Sequence, residues 1–155
     1  MADRMLLVGQ ERRDLEDLER VMGGEITVET AANSTEGLAT IHLFGPFALV
    51  VAEMRMAGLT GLEFLARVRD LTPNAVTILL AGHRDRKRAE AAMEEGQISH
   101  CLTKPYKEEE LRDVLHFGLA QYRANVQAGK IAKEARDRRM FAAAEPSQEL
   151  AHTQK

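Results

Sequence analysis

The sequence has a single cysteine, no long apolar run and no strong excess of either charge, and each of these absences excludes a class of protein. Cys101 alone cannot form a disulfide framework, which is typical of a protein from a reducing compartment. No stretch approaches the ~20 consecutive apolar residues of a membrane span, and the first residues lack the apolar core of a signal peptide. We therefore expect a cytoplasmic protein with no membrane segment.

The charge balance and the missing motifs narrow the possible functions. A formal net charge of −3 argues against a strong electrostatic attraction to nucleic acid. The sequence contains no glycine loop of the phosphate-binding type, no His/Cys spacing for a metal and no nucleophile elbow. We therefore expect no enzymatic activity, no cofactor, no bound metal and no nucleic-acid partner. The 155 residues are enough for one domain with a tail left over.

Short apolar segments alternate with helical patterns along the chain. The expected strands are residues 5–8, 26–31, 47–52, 76–80 and 98–102. Asn33 is a predicted helix cap, and Thr60 with Glu63 forms a predicted capping box. Because parallel strands need crossover connections, this order predicts an α/β protein with a flavodoxin-like (βα)5 doubly wound parallel sheet and an extended C-terminal helix. In such sheets the site lies at the carboxyl ends of the strands.

The chain divides into three predicted parts. Residues 1–122 form the domain, and residues 123–145 form a helical extension that is rich in Ala, Lys, Arg and Glu. Gly129 weakens that extension by roughly 1 kcal/mol relative to alanine. Residues 146–155 are polar and small, so we expect a disordered tail. About thirty residues after position 122 are too few for an output domain.

Two segments carry a family resemblance. Glu53 follows the apolar run 47–52, and Lys104-Pro105 follows the fifth predicted strand. Over residues 4–122 the chain resembles the receiver domain of two-component response regulators, in particular receivers found ahead of cyclic di-GMP phosphodiesterase or hydrogenase-regulating output modules. The resemblance implies an aspartate at the position of Glu53 that accepts a phosphoryl group, and a lysine at the position of Lys104 that contacts it. The lysine is present, and the aspartate is replaced.

Other positions also depart from the family pattern. The resemblance implies an acidic metal-binding pair at Gly9 and Gln10, a hydroxyl residue at Ala81 and an aromatic residue at Cys101. Gly9 offers no ligand, Gln10 offers only a neutral carbonyl, and we expect Glu11 to point elsewhere from the first turn of the following helix. These positions therefore predict a degenerate phosphoacceptor site with weak or absent metal binding and no phosphorylation chemistry.

Glu53 has two possible roles in such a site. In the first, its longer side chain places a fixed negative charge near the phosphoryl position and pairs with Lys104, which holds an active-like loop arrangement. In the second, the ion pair only neutralises Lys104 in a partly buried place. The sequence leaves both open.

The resemblance places the partner-binding face on the fourth helix, fifth strand and fifth helix. Three basic residues in the first turn of the fourth helix oppose its dipole, so they are candidates for docking an acidic partner, although a solvated charge run explains them equally well. The candidate partner-binding residues are Arg84, Arg86, Lys87, Arg88, Tyr106 and Tyr122.

Three functions follow from this reasoning. The leading one is a stand-alone pseudo-receiver that binds a protein partner without phosphorylation, with the last helix helping it to form a homodimer or to dock. The alternatives are a phosphoryl-accepting regulator with an unusual site and a structural subunit of a larger assembly.

Overall fold

The computed structural model describes the backbone of residues 3–153 and the side chains of residues 3–142. The chain divides into two compact units, Met1–Tyr122 and Arg123–Lys155. Within the described part, no helix combines the length and the apolar character that crossing a membrane requires.

The first unit is built on one parallel sheet. Its strands lie in the order β2-β1-β3-β4-β5, so the strand order reverses between β1 and β3. The predicted flavodoxin-like sheet is therefore confirmed, with boundaries within two residues of those expected. The strands are β1 (Arg4–Val8), β2 (Thr27–Ala31), β3 (Leu49–Glu53), β4 (Val76–Ala81) and β5 (His100–Thr103).

Helices follow each strand, and their caps explain several of their ends. Asn33 accepts a hydrogen bond from the Glu36 amide, and Thr60 and Glu63 form the predicted capping box. A short 3-10 turn, His83–Asp85, precedes the fourth helix. The helices are α1 (Arg12–Met22), α2 (Ser34–Phe44), α3 (Gly61–Leu71), α4 (Arg86–Glu94) and α5 (Glu108–Thr153).

The sheet is covered on both faces, which explains its apolar strands. Alternate residues of β1, β3 and β4 point to opposite faces, so each face contributes to a separate core. One core packs β-strand residues against α2, α3 and α4, and the other packs them against α1 and α5. This two-sided packing fixes the sheet and holds the carboxyl ends of its strands at one edge.

The last helix is long. It extends past residue 145, where the sequence predicts the helical extension to end. Ile131, Met140 and Phe141 are large apolar side chains of this extension that are more than half exposed. The side chains of residues 146–155, for which disorder is expected, lie outside the described residues, so that expectation stays a prediction.

Candidate functional site

The predicted site residues meet at the carboxyl edge of the sheet. Gly9 follows β1, Glu53 ends β3, Ala81 ends β4 and Lys104 follows β5. Glu53 and Ala81 are buried, with 8% and 0% of their surface exposed, and Lys104 is half-buried. The edge where sequence analysis places the site is therefore the edge where these residues converge.

Glu53 fills the space that a side chain at position 9 would need. A Cβ added to Gly9 would lie 2.5 Å from both Cδ and Oε2 of Glu53, closer than real Cβ contacts come. Gly9 also has a φ of 153°, a conformation that other residues rarely adopt. The amide of Gln10 donates a hydrogen bond of 3.3 Å to Glu53 Oε2. The extra methylene of the glutamate is thus accommodated by the missing side chain of the glycine.

Lys104 contacts three carboxylates rather than one. Its Nζ lies 2.6 Å from Asp14 Oδ2, 2.9 Å from Glu11 Oε2 and 3.4 Å from Glu53 Oε1. The expected pair between Lys104 and Glu53 is present, but it is the longest of the three. The expectation that Glu11 points elsewhere is wrong, because Glu11 precedes the first residue of α1 and its carboxylate accepts a hydrogen bond from Lys104, which follows β5.

Asp14 is the site residue that sequence analysis missed. It is 2% exposed, and its carboxylate accepts hydrogen bonds from Lys104 and from the hydroxyl of Tyr106, the latter at 2.8 Å. A signal was available in the sequence, since Asp14 lies four residues before the buried Leu18 and thus on the apolar face of α1. An acid on that face requires a partner.

Tyr106 and Tyr122 are less available to a partner than expected. The Tyr106 hydroxyl also donates to Asp17 Oδ2 at 3.1 Å, so the side chain joins the β5–α5 loop to α1. Both tyrosines are half-buried and pack against the core on the α1 and α5 side. Their role as partner-binding residues stays a prediction.

Burial and the contacts within the cluster raise the pKa values of Glu53 and Lys104 and lower that of Asp14. Burial raises the pKa of Glu53 to about 7, and its hydrogen bond with Asp14 and the charge of Asp14 add to this effect against the attraction of Lys104. Burial also acts to raise the pKa of Asp14, but its hydrogen bonds with Glu53, Lys104 and Tyr106 outweigh burial and lower it. Burial acts to lower the pKa of Lys104, and the bonds to Asp14 and Glu11 outweigh it, so that pKa is raised.

The carboxylates of the cluster are already bonded to a cation, the ammonium of Lys104. Carboxylate oxygens of Glu11, Asp14 and Glu53 lie within 4.8 Å of one another, a separation short enough for a shared ion. The ammonium of Lys104 bonds to all three carboxylates and partly neutralises their charge, in the position that a metal ion would occupy. A divalent cation would have to displace this ammonium.

Ala81 and Cys101 offer no replacement for the side chains that the resemblance implies. Ala81 is fully buried in β4 and carries no hydroxyl. Cys101 is half-buried in β5, and burial, with the nearby charge of Glu90, raises the pKa of its thiol. The thiol therefore stays protonated and unreactive at neutral pH.

The opposite side of the site is held by an ion pair that the sequence did not indicate. Arg55, in the β3–α3 loop, donates two hydrogen bonds of 2.8 and 3.1 Å to the carboxylate of Asp85, which is buried in the β4–α4 loop. Between these loops and Lys104 lies an open cavity of about 320 Å³. His83 and Arg84 also line this cavity.

The predicted basic residues lie on the outer surface next to this cavity. Arg84, Arg86, Lys87 and Arg88 are all exposed. Arg86 pairs with Glu90 at 2.9 Å, while Arg84 and Lys87 have no ion pair within the described part of the chain. A groove of about 620 Å³ between α4 and β5, lined in part by Arg86, Glu90 and Cys101, adjoins them.

Comparison with known proteins identifies the family. The family model of the response regulator receiver domain matches residues 6–116, which is most of the first unit. The chain belongs to the response regulator receiver domain family.

Segments of longer regulatory proteins are similar to this chain. The chain is 32% identical over 111 residues to the hydrogenase transcriptional regulatory protein HoxA of Cupriavidus necator, covering 72% of this chain and 23% of that protein. It is 29% identical over 144 residues to the response regulator protein FleR of Pseudomonas aeruginosa, covering 91% of this chain and 30% of that protein. Because this chain spans less than a third of these relatives, their activities as whole proteins do not transfer to it.

Solved structures share the receiver fold. One is described as an adenylate cyclase from Rhodopirellula baltica, with a TM-score of 0.78 and 30% identity, covering 86% of this chain and 98% of that one. Another is the signal receiver domain of an HD domain-containing protein from Pseudomonas fluorescens, with a TM-score of 0.73 and 26% identity, covering 81% of this chain and 93% of that one. Receiver domains are signalling domains that act through protein partners.

Proposed function

We propose that this receiver domain signals by binding a protein partner and that Glu53 does not accept a phosphoryl group. The observation that carries the proposal is the engagement of Lys104 with Asp14, Glu11 and Glu53, while Glu53 itself fills the space beside Gly9. The protein is then a non-enzymatic pseudo-receiver.

Phosphoryl transfer to a carboxylate needs a divalent cation and a free cationic side chain to stabilise the transferred oxygens. Here the cation would have to displace the ammonium from a buried carboxylate 2.6 Å away. Glu53 would also have to leave the space beside Gly9 to reach a phosphodonor. Both changes work against transfer, so we expect weak magnesium binding.

The geometry supports the structural role for Glu53 over the role of a phosphoryl substitute. Lys104 bonds most closely to Asp14 and Glu11, so it stays anchored to α1 whether or not Glu53 is charged. We therefore expect replacement of Glu53 to change stability more than partner binding.

The surface of α4 is the proposed docking site for an acidic partner. The exposed side chains of Arg84 and Lys87 are uncompensated among the described residues, and the adjoining groove offers room for a partner side chain. The proposal does not require nucleic acid, a cofactor or a membrane.

The extension of α5 is proposed to contribute to dimerisation or docking. It exposes Ile131, Met140 and Phe141, with 53%, 73% and 71% of their surfaces accessible. Sedimentation of the full chain and of an Ile131→Asp variant tests this idea. Equal masses for both proteins, with partner capture unchanged, would contradict it.

Incubation with acetyl phosphate or beryllofluoride in the presence of magnesium tests the main proposal. We expect no mass increase and no saturable spectral change. A covalent adduct on Glu53, absent from the Glu53→Gln variant, would favour the phosphoryl-accepting alternative. The matched control is Glu16→Gln, an exposed acid on α1 away from the cluster.

A further inference from the structure

The cluster around Lys104 holds more negative than positive groups. Three carboxylates, those of Glu11, Asp14 and Glu53, share the one ammonium. Asp14 is 2% exposed and Glu53 is 8% exposed, so water compensates little of their charge. Burying several like charges is costly unless one of them is neutralised.

Glu53 is the least compensated of the three. Its contacts with Lys104 and with the amide of Gln10 measure 3.4 and 3.3 Å, both long for hydrogen bonds to an anion. Asp14 instead has short bonds of 2.6 Å to Lys104 and 2.8 Å to Tyr106. Carboxylate oxygens of Asp14 and Glu53 lie within 4.8 Å of each other. The shorter bonds of Asp14 therefore favour it as the charged member of this pair.

No other cation bonds to Glu53 within the described residues. From the β3–α3 loop, Arg55 pairs with Asp85 of the β4–α4 loop. His83 and Arg84 line the same cavity as Glu53 without a hydrogen bond to it. The remaining groups come from α1 and from the β5–α5 loop, namely Glu11, Asp14, Asp17, Lys104 and Tyr106.

We propose that Glu53 and Asp14 share one proton in the folded protein, and that its release to water adds one negative charge to the site. The proton stays on Glu53, which donates it to the carboxylate of Asp14. Its release breaks that hydrogen bond and leaves two carboxylates facing each other. This inference goes beyond the proposed function, because it assigns the site a charge change that needs no phosphodonor.

The pKa values agree with this arrangement. Burial and then Asp14 raise the pKa of Glu53 from 4.5 to about 7, whereas the hydrogen bonds of Asp14 lower its own pKa. Because the folded protein binds the Glu53 proton more tightly than the unfolded chain does, this group's contribution to stability is complete below pH 4.5 and is lost as the pH rises through about 7. Asp14 acts in the opposite sense and only at lower pH.

Carbon-detected NMR of the glutamate carboxyl groups in the full-length protein measures the proton directly. We expect the Glu53 signal, assigned by its absence in Glu53→Gln, to titrate with a midpoint near 7, about two pH units above the exposed glutamates. In Asp14→Asn the Glu53 midpoint should fall towards the ordinary range. A Glu53 midpoint near 4.5 in the unmodified protein would overturn the proposal.

Unfolding provides a second measurement. Relative to Glu53→Gln, whose amide donates to Asp14 at every pH, the folded-to-unfolded ratio of the original protein should fall by roughly a hundredfold between about pH 5 and about pH 8. Glu16→Gln, an exposed change on α1, should follow the original protein. Parallel pH profiles for the original protein and Glu53→Gln would contradict the shared proton.

These results are separable from those that test the proposed function. A phosphoryl adduct on Glu53 would refute the absence of phosphorylation and leave the titration measurable in the unmodified protein. An ordinary Glu53 midpoint would refute the shared proton while leaving the partner-binding proposal standing.

Discussion

The two sides of the cavity at the carboxyl edge of the sheet are held in different ways. On the side formed by α1 and the β5–α5 loop, Lys104 and Tyr106 both bond to the buried Asp14. On the side formed by the β3–α3 and β4–α4 loops, a single pair joins Arg55, whose side chain is 67% exposed, to Asp85. The first side is tied by several part-buried contacts, and the second by one ion pair between an exposed arginine and a buried aspartate.

The two sides therefore have different expected roles, one in the stability of the acidic cluster and the other in contacts with a partner. The cluster holds Lys104 through three carboxylates, so that side has little freedom to change. The basic residues of α4 follow the loop that Arg55 holds, and an ion pair whose arginine is largely exposed is screened by solvent. We therefore expect any change in partner binding to involve the second side, while stability depends on the first.

Replacing Lys104 with methionine should have the largest effect. The apolar stem remains, but the buried carboxylate of Asp14 loses its cation, and we expect the free energy of unfolding in urea to fall by about 3 kcal/mol. The control is Lys107→Met, an exposed lysine nearby, with an expected change below about 0.5 kcal/mol. Equal losses in the two variants would show that the cluster does not hold the first side.

Gly9→Ala tests the contact between Gly9 and Glu53. The new Cβ would meet Glu53 at 2.5 Å, so we expect a loss of about 2 kcal/mol in unfolding free energy. In Glu53→Ala that clash is absent, and a double-mutant cycle should give a coupling energy of about 1 kcal/mol. Gly24→Ala controls for backbone strain, since Gly24 has a φ of 83° but open space around it. Additive losses would mean that the two positions are not matched.

Arg55→Ala should have the smallest effect on stability, about 1.5 kcal/mol, because the buried carboxylate of Asp85 loses its cation but the arginine itself is largely exposed. Hydrogen exchange of the amides in the 3-10 turn, His83–Asp85, should nevertheless become faster, because this turn loses its hydrogen bonds to the β3–α3 loop. Arg67→Ala, an exposed arginine on α3, should leave both measurements unchanged. A loss as large as that of Lys104→Met would remove the distinction between the two sides.

The sequence predicted the part of the site that depends on strand ends. Glu53 and Lys104 follow apolar runs, so their meeting follows from the parallel sheet alone. The sequence predicted that Gly9 lies at the site. It did not predict that the Glu53 side chain occupies the space next to Gly9, because this depends on the conformation of that one side chain. Asp14 was missed although its place on the apolar face of α1 signals a buried partner, and the pattern did not say which residue that partner is. The Arg55–Asp85 pair was missed because it joins two loops, and local patterns do not encode such contacts.

The order of apolar strands and capped helices by itself determined the sheet, the edge that carries the site and the position of Glu53 at the end of β3. The tertiary structure alone decided which acid the lysine prefers. Lys104 can reach three carboxylates, and burial, distance and the hydroxyl of Tyr106 make Asp14 its closest partner. Strand ends are fixed by hydrogen-bonded register, whereas the partner of a flexible lysine is chosen by the charges that packing brings within reach.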